Sequence, residues 1–288
     1  MKQFSFNSMG TVFEVVISDT ISDKVFDELC ASAVLMSKEF DQKHSRFIQT
    51  SFVSQISKKT GRIQVDKDFM KMLKMYVDLY ELSEKKLNPL IGFSLSDLGY
   101  DAEYSFIEKE HVRPTPDLIE TVTMMDESTI MIKEPVLFDF GALGKGYFVD
   151  KVVHFLQGKG MKDFLVNGSG DIFCQGKQAK IGLEDPGDEK KVIGMVEISN
   201  KAIACSGPNK RRWGFHNHII NPISLYHPQD IASIWVKAES TALADALATC
   251  LFFVDPKNIV KKIKFDYLIL DTNYKVSYSP NFKAELFS

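Results

Sequence analysis

The chain has 288 residues, 44% hydrophobic and 25% charged, an ordinary globular composition with enough length to bury a large core without disulfide or metal staples. Its formal charge of -3, with Lys and Arg scattered among acids, leaves no electrostatic footprint for nucleic acid or an anionic membrane. A small-molecule or protein substrate is therefore the default, and Cys30, Cys174, Cys205 and Cys250, which form no C-x-x-C pair, read as buried free thiols.

The amino terminus, MKQFSFNSMGT, has no apolar h-region, cleavage site or lipid-attachment cysteine. With the first Met as the natural start this predicts a cytoplasmic protein; a chain trimmed of its signal would read the same. No apolar run approaches the roughly 20 residues that span a bilayer, so no stable membrane insertion is expected. A prior of roughly 100–200 residues per domain allows two domains or one elaborate one, and no linker decides between them.

Residues 4–18 mix alternation with a β-branched run and predict a strand pair turning near Met9 and Gly10. Helical spacing of Val25, Phe26, Leu29, Ala33 and Met36 predicts a helix over 22–42. A second is predicted over 66–86, ending before Asn88 and Pro89. Turn residues crowd 87–115, which reads as irregular and surface-facing. Short strands are predicted at 130–132 and 136–140, and a helix over 147–157 after the break at Gly141. From Asp163 onward, short apolar runs separated by glycine or Asp-Pro turns argue for antiparallel strands. A last helix fits 240–254 with Ser240 as N-cap, followed by a hairpin turning at Thr272 and Asn273. Strands and helices do not alternate regularly, which favours an α+β fold over a doubly wound sheet.

Four segments could carry chemistry. In DFGALGKGYFVDK, 139–151, a glycine-dense turn leads into a helix beside Lys145, a place for a phosphate or simply a structural turn. Its G-x-x-G-x-G spacing matches neither a Rossmann fingerprint nor a Walker A loop. In STALADALATC, 240–250, Asp245 and Thr249 share a helix face; a carboxylate and a hydroxyl are hard donors suited to magnesium, or an ordinary solvated pair. In SGPNKRRWGFHNHIINP, 206–222, His218 could be a general base or a histidine bonded to a backbone carbonyl. The H-x-H of His216 and His218 lacks a nearby third ligand for zinc. VNGSGDIFCQG, 166–176, is a glycine turn that either admits a ligand or turns a hairpin.

Taken in order, the chain resembles the ApbE family of FAD:protein FMN transferases. The matching pieces are SMGTVFEVVI near the start, HSRF at 44–47, LNPLIG at 87–92, DFGALGKGYFVD, VNGSGDIFCQG, IGLEDP, IACSG, HIINP and ALADALATCLFF, collinear over nearly the whole chain. The resemblance implies a single α+β unit, 1–288, of two intertwined halves with mostly antiparallel sheets flanked by helices. FAD would bind between the halves as substrate, with Mg2+ at its pyrophosphate held by the Ala142 carbonyl, Asp245 and Thr249. Met9, Phe47, Leu87 and Asn88 would touch the flavin or adenosine, Asp139 and Lys145 would lie along the cofactor, and Ser206, Gly207 and Ile220 would line the cleft.

The implied reaction transfers FMN from FAD to a threonine of an acceptor flavoprotein and releases AMP, with His218 as base and Lys145 neutralising the pyrophosphate. Within the same chemistry the alternatives are a Mg-dependent FAD pyrophosphatase and a non-catalytic flavin-binding protein. Asn88 and Asn221 stand where the family usually shows Asp, and Cys205 where it often shows Thr, so altered affinity is expected.

Overall fold

The structure is a computed structural model and describes residues 1–287, apart from the side chain of Lys210. Alternating residues at the start pair Lys2–Ser8 with Thr11–Ile17, antiparallel, around a turn in which Met9 and Gly10 both take positive φ. From this hairpin an eight-stranded sheet continues through Phe164–Asn167, Ile172–Gln175, Lys201–Ser206, Ile231–Ala238, Asp266–Asp271 and Val276–Tyr278. All its described pairings are antiparallel, including the predicted hairpin at 272–273.

Because strand side chains alternate, the sheet has two apolar faces. Phe164, Val166, Ala202, Ala204, Ile234 and Val236 join a large cluster under the helices Asp23–His44, Lys67–Tyr80, Gly144–Gly158 and Thr241–Cys250. Their neighbours Ile203, Trp235, Leu268 and Leu270 pack the other way, against a three-stranded sheet of Ala179–Asp185, Asp188–Ile198 and Ala284–Leu286. Each fully buried side chain of this size contributes about 1.5–3 kcal/mol. Ser22, Asp66 and Ser240 cap three of the helices by accepting the N–H of Val25, Phe69 and Leu243.

Several boundaries differ from the sequence reading. The helix predicted over 66–86 ends at Tyr80, and Glu84 and Lys85 take positive φ in the turn that follows. The helix predicted to 254 ends at Cys250, and the one predicted from 147 already begins at Gly144. Residues 136–140 form no strand, although Val136, Phe138 and Phe140 are buried as alternation requires. Their backbone bonds instead to the earlier segment 89–92, Asp139 N–H to the Pro89 carbonyl and Gly92 N–H to the Leu137 carbonyl.

That contact also corrects the surface reading for 87–100, whereas 101–115 are irregular and mostly exposed as expected. Pro89–Ile91 and Gly92–Asp97 are short helices, and Leu87, Asn88, Leu90, Leu95, Leu98 and Tyr100 are buried. A Cβ on Gly92 would lie 2.8 Å from Leu137 Cγ, so this glycine serves close packing rather than a surface turn. Among the cysteines, Cys174 and Cys250 are buried, whereas Cys30 and Cys205 are only partly so. No helix among the described residues is long and apolar enough to cross a membrane.

Candidate active site

A cavity of about 260 Å³ collects residues that are far apart in sequence. Ala142, Lys145, Asp245 and Thr249 line it, as do Phe47, Leu87, Asn88 and Asp139, together with Ser206, Gly207, His218 and Ile220. Met9 lines instead a second chamber of about 250 Å³ that shares Phe47, Asp139, Lys145 and Arg211 with the first. The residues singled out in the sequence thus meet around two adjoining spaces.

The glycine turn is not a free amide cradle. Gly141 N–H donates to Asp139 Oδ1 at 2.7 Å, and the N–H groups of Leu143 and Gly144 donate to the Phe140 carbonyl at 3.2 and 2.7 Å. Gly146 N–H, whose helical acceptor would be the Ala142 carbonyl, donates instead to Asp245 Oδ2 at 3.1 Å. That frees the Ala142 carbonyl from the helical ladder. A Cβ on Gly146 would lie 2.7 Å from the Thr241 carbonyl carbon and 2.9 Å from Asp245 Cβ, so the glycine exists to let two helices touch.

Charge is concentrated where they touch. Lys145 Nζ forms an ion pair with Asp171 and stands 3.8 Å from Asp245 Oδ2. Burial pulls the Lys145 ammonium down, but Asp171 and then Asp245 outweigh it and hold the group above its ordinary range. For Asp245, burial followed by the nearby Asp171 charge pushes the carboxyl well up, against Lys145 and the Gly146 N–H. Asp245 is 3% exposed, so the solvated-pair reading of Asp245 and Thr249 fails. Thr249 Oγ1 lies 3.3 Å from Ser206 Oγ.

The raised Asp245 carboxyl marks a place where negative charge is under-compensated, and a bound cation would favour its ionised form by displacing the proton. No cluster of three His, Cys, Asp or Glu side chains able to hold a metal occurs among the described residues. A carbonyl, one carboxylate and a hydroxyl with few protein ligands nevertheless suit magnesium, which keeps most of its shell for water and phosphate. The donor set fits that ion.

His218 is half-buried, with Nδ1 3.4 Å from the Arg211 carbonyl. Burial, then the Arg211 charge, lowers its pKa to about 4, so the imidazole is neutral at neutral pH and able to accept a proton. His216 lies apart, with Nε2 3.0 Å from Glu108, and the H-x-H pair does not converge on one metal. Phe47 is stacked on Tyr104 at 5.1 Å, 6° from parallel, and has the Arg46 guanidinium 4.2 Å from its centroid. Its π-surface is thus already engaged by protein groups.

The departures have local reasons. Asn88 accepts the Leu90 N–H at 2.9 Å and donates to the Pro116 carbonyl at 2.8 Å, which a carboxylate could not do. Asn221 Oδ1 accepts the N–H of Ile223 at 2.9 Å, a bond that Asp would make equally well. Cys205 lines the cavity next to Ser206.

Several participants were given no role from the sequence. Asp171, fully buried, follows the glycine turn of VNGSGD just before an apolar run, which was its only signal. Arg46 pairs with Asp139 and donates to the Tyr100 carbonyl at 2.7 Å, while Arg211 donates to Tyr100 Oη at 2.8 Å. Tyr100 itself stacks on Trp213 at 5.2 Å.

With this geometry in place, the family described as ApbE matches residues 9–268. An FAD:protein FMN transferase of Haemophilus influenzae is 26% identical over 281 residues, covering 85% of this chain and 78% of that one. One from Treponema pallidum is 26% identical over 227 residues, covering 66% of this chain and 60% of its own length. In three dimensions, the ApbE protein of Thermotoga maritima superposes with a TM-score of 0.85 at 22% identity, covering 98% of this chain and 97% of that one. The flavin transferase ApbE of Vibrio cholerae gives 0.79 at 20% identity, covering 98% of each.

Proposed function

The chain belongs to the ApbE family, and we propose that it is an FAD:protein FMN transferase that moves FMN from FAD to a threonine hydroxyl of an acceptor protein and releases AMP. The observation that carries this reading is the cavity wall where Lys145 stands between Asp171 and Asp245, beside Thr249 and the released Ala142 carbonyl. The relatives' activity points the same way.

In this reading His218, neutral at working pH, takes the proton of the acceptor hydroxyl as its oxygen attacks the FMN-side phosphorus. The phosphorus–oxygen bond to AMP breaks, and AMP leaves with the electron pair. Magnesium, held by the Ala142 carbonyl, Asp245 and Thr249, would neutralise charge on the pyrophosphate. Lys145 keeps the carboxylate pair compensated, while Asp139, fixed by Arg46 and the Gly141 N–H, holds the turn that presents Ala142. Met9, Phe47, Leu87, Asn88, Ser206, Gly207 and Ile220 would enclose the nucleotide and exclude water. Most of the acceleration then comes from positioning and electrostatics.

The test is Asp245→Asn, which keeps an acceptor for the Gly146 N–H and leaves Lys145 paired with Asp171. Magnesium-dependent AMP release from FAD should fall by at least about a hundredfold while circular dichroism is unchanged, since a charge-stabilising group is worth roughly 2.7–4 kcal/mol. Wild-type rates in this variant would remove the site.

A further inference from the structure

The helix that carries Asp245 and Thr249 is held from outside the cavity by a residue that the sequence reading gave no role. Asp150 lies four residues beyond Gly146 on Gly144–Gly158, and so on the same helix face. Its Oδ1 accepts the Thr241 N–H at 2.8 Å and its Oδ2 accepts the Ala242 N–H at 2.9 Å. One turn earlier, Gly146 N–H reaches Asp245. The first helix therefore grips the second at two levels, by a bidentate carboxylate on its first turn and by an amide on Asp245 itself.

We infer that Asp150 is a positioning residue for the oxygen donors of the cavity: it fixes the rotation of Thr241–Cys250 about its axis, and hence where Asp245 and Thr249 stand relative to the Ala142 carbonyl. This inference rests on the reading of the site given above. On a helix whose side chains reach a radius of about 5–6 Å, a rotation of about 20° carries a side-chain tip by about 2 Å. Magnesium tolerates much less, because it demands near-ideal octahedral geometry. Buried Ala242, Ala244, Leu247 and Ala248 seat the helix on the sheet, and the two bonds at Thr241 and Ala242, with the one at Gly146, tie that seat to the helix that follows Ala142.

A plain helix-capping role is separable from this one. The same terminus has an ordinary N-cap in Ser240, whose Oγ accepts the Leu243 N–H at 3.3 Å and which does not link the two helices. Asp150→Asn keeps the size and one acceptor oxygen but turns an NH2 toward a backbone N–H; Asp150→Ala removes both bonds; Ser240→Ala removes the local cap alone.

Mn2+ binding to the whole 288-residue chain, read by electron paramagnetic resonance without FAD, gives a readout independent of turnover, and thermal unfolding is measured in parallel. Both Asp150 variants should bind Mn2+ at least about tenfold more weakly than wild type, the usual effect of losing an outer-shell partner. Ser240→Ala should keep wild-type Mn2+ affinity although its melting temperature falls. Unchanged affinity in Asp150→Asn, or an equal loss in Ser240→Ala, overturns the positioning role and leaves the proposed function standing. A wild-type protein that binds no Mn2+ overturns the metal site and the inference together. If Asp150→Ala does not fold, the comparison of Asp150→Asn with Ser240→Ala still decides.

Discussion

Replacing Gly146 by alanine tests the helix contact on which the site depends. Helix propensity alone favours the change by roughly 1 kcal/mol. Against it, the new methyl would lie 2.7 Å from the Thr241 carbonyl carbon and 2.9 Å from Asp245 Cβ, and the first of these is backbone that no rotamer change can move. Overpacking of this kind costs about 1–3 kcal/mol. Separating the helices also stretches the 3.1 Å bond from Gly146 N–H to the Asp245 carboxylate, a charge-assisted bond worth about 1.5–3 kcal/mol. The net loss is then about 1.5–5 kcal/mol, or roughly 3–20 °C in melting temperature for a chain of this size. Differential scanning calorimetry reads it directly. Gly144→Ala is the internal control, because its Cβ would sit 3.6 Å from Phe140 Cβ, an ordinary contact, and stability should stay within about 1 kcal/mol of wild type. A Gly146→Ala protein that melts at or above the wild-type temperature would refute the close-contact account.

Three further outcomes are expected. The folded-state pKa of His218, about 4, lies below the unfolded value near 6.5, so the neutral imidazole contributes stability that is full above about pH 6.5 and is lost as pH falls toward 4. The acid limb of kcat/KM should accordingly fall near pH 4, and a limb at 6.5 that persists in His218→Ala would exclude the histidine as the base. Lys145→Met leaves Asp171 and Asp245 buried without the Lys145 ammonium and should cost about 3–5 kcal/mol in urea unfolding; a loss below about 1 kcal/mol would contradict the shared-charge geometry. Asn88→Asp, which restores the residue usual in the family, should destabilise by about 1–3 kcal/mol because the Pro116 carbonyl loses its donor, and a higher melting temperature would show that the bond has little weight.

What could be read from the sequence was local. The Ser240 cap, the Asp245 and Thr249 face and the Met9–Gly10 hairpin each follow from spacing over a few residues, and the structure has all three. Residues 136–140 were misread because alternation reports burial of every second side chain, not which backbone supplies the hydrogen bonds; here Pro89 and Gly92 do. The glycines of 141–146 signalled a special backbone but not its purpose, since a close helix approach and an anion loop use the same residue for the same steric reason. Asp171 and Lys145 are 26 residues apart and meet only because the strands Phe164–Asn167 and Ile172–Gln175 return the chain beside Gly144–Gly158. Asp150 is more distant still from Thr241, at 91 residues, and no short-range pattern encodes that pairing.

The central claim, transfer rather than hydrolysis, is tested most directly by intact mass spectrometry of a threonine-bearing acceptor incubated with this protein, FAD and magnesium, with AMP quantified in the same sample. The expected result is an acceptor heavier by one FMN less one water, with one AMP released for each flavin attached. AMP and free FMN appearing together, with the acceptor mass unchanged, would contradict it.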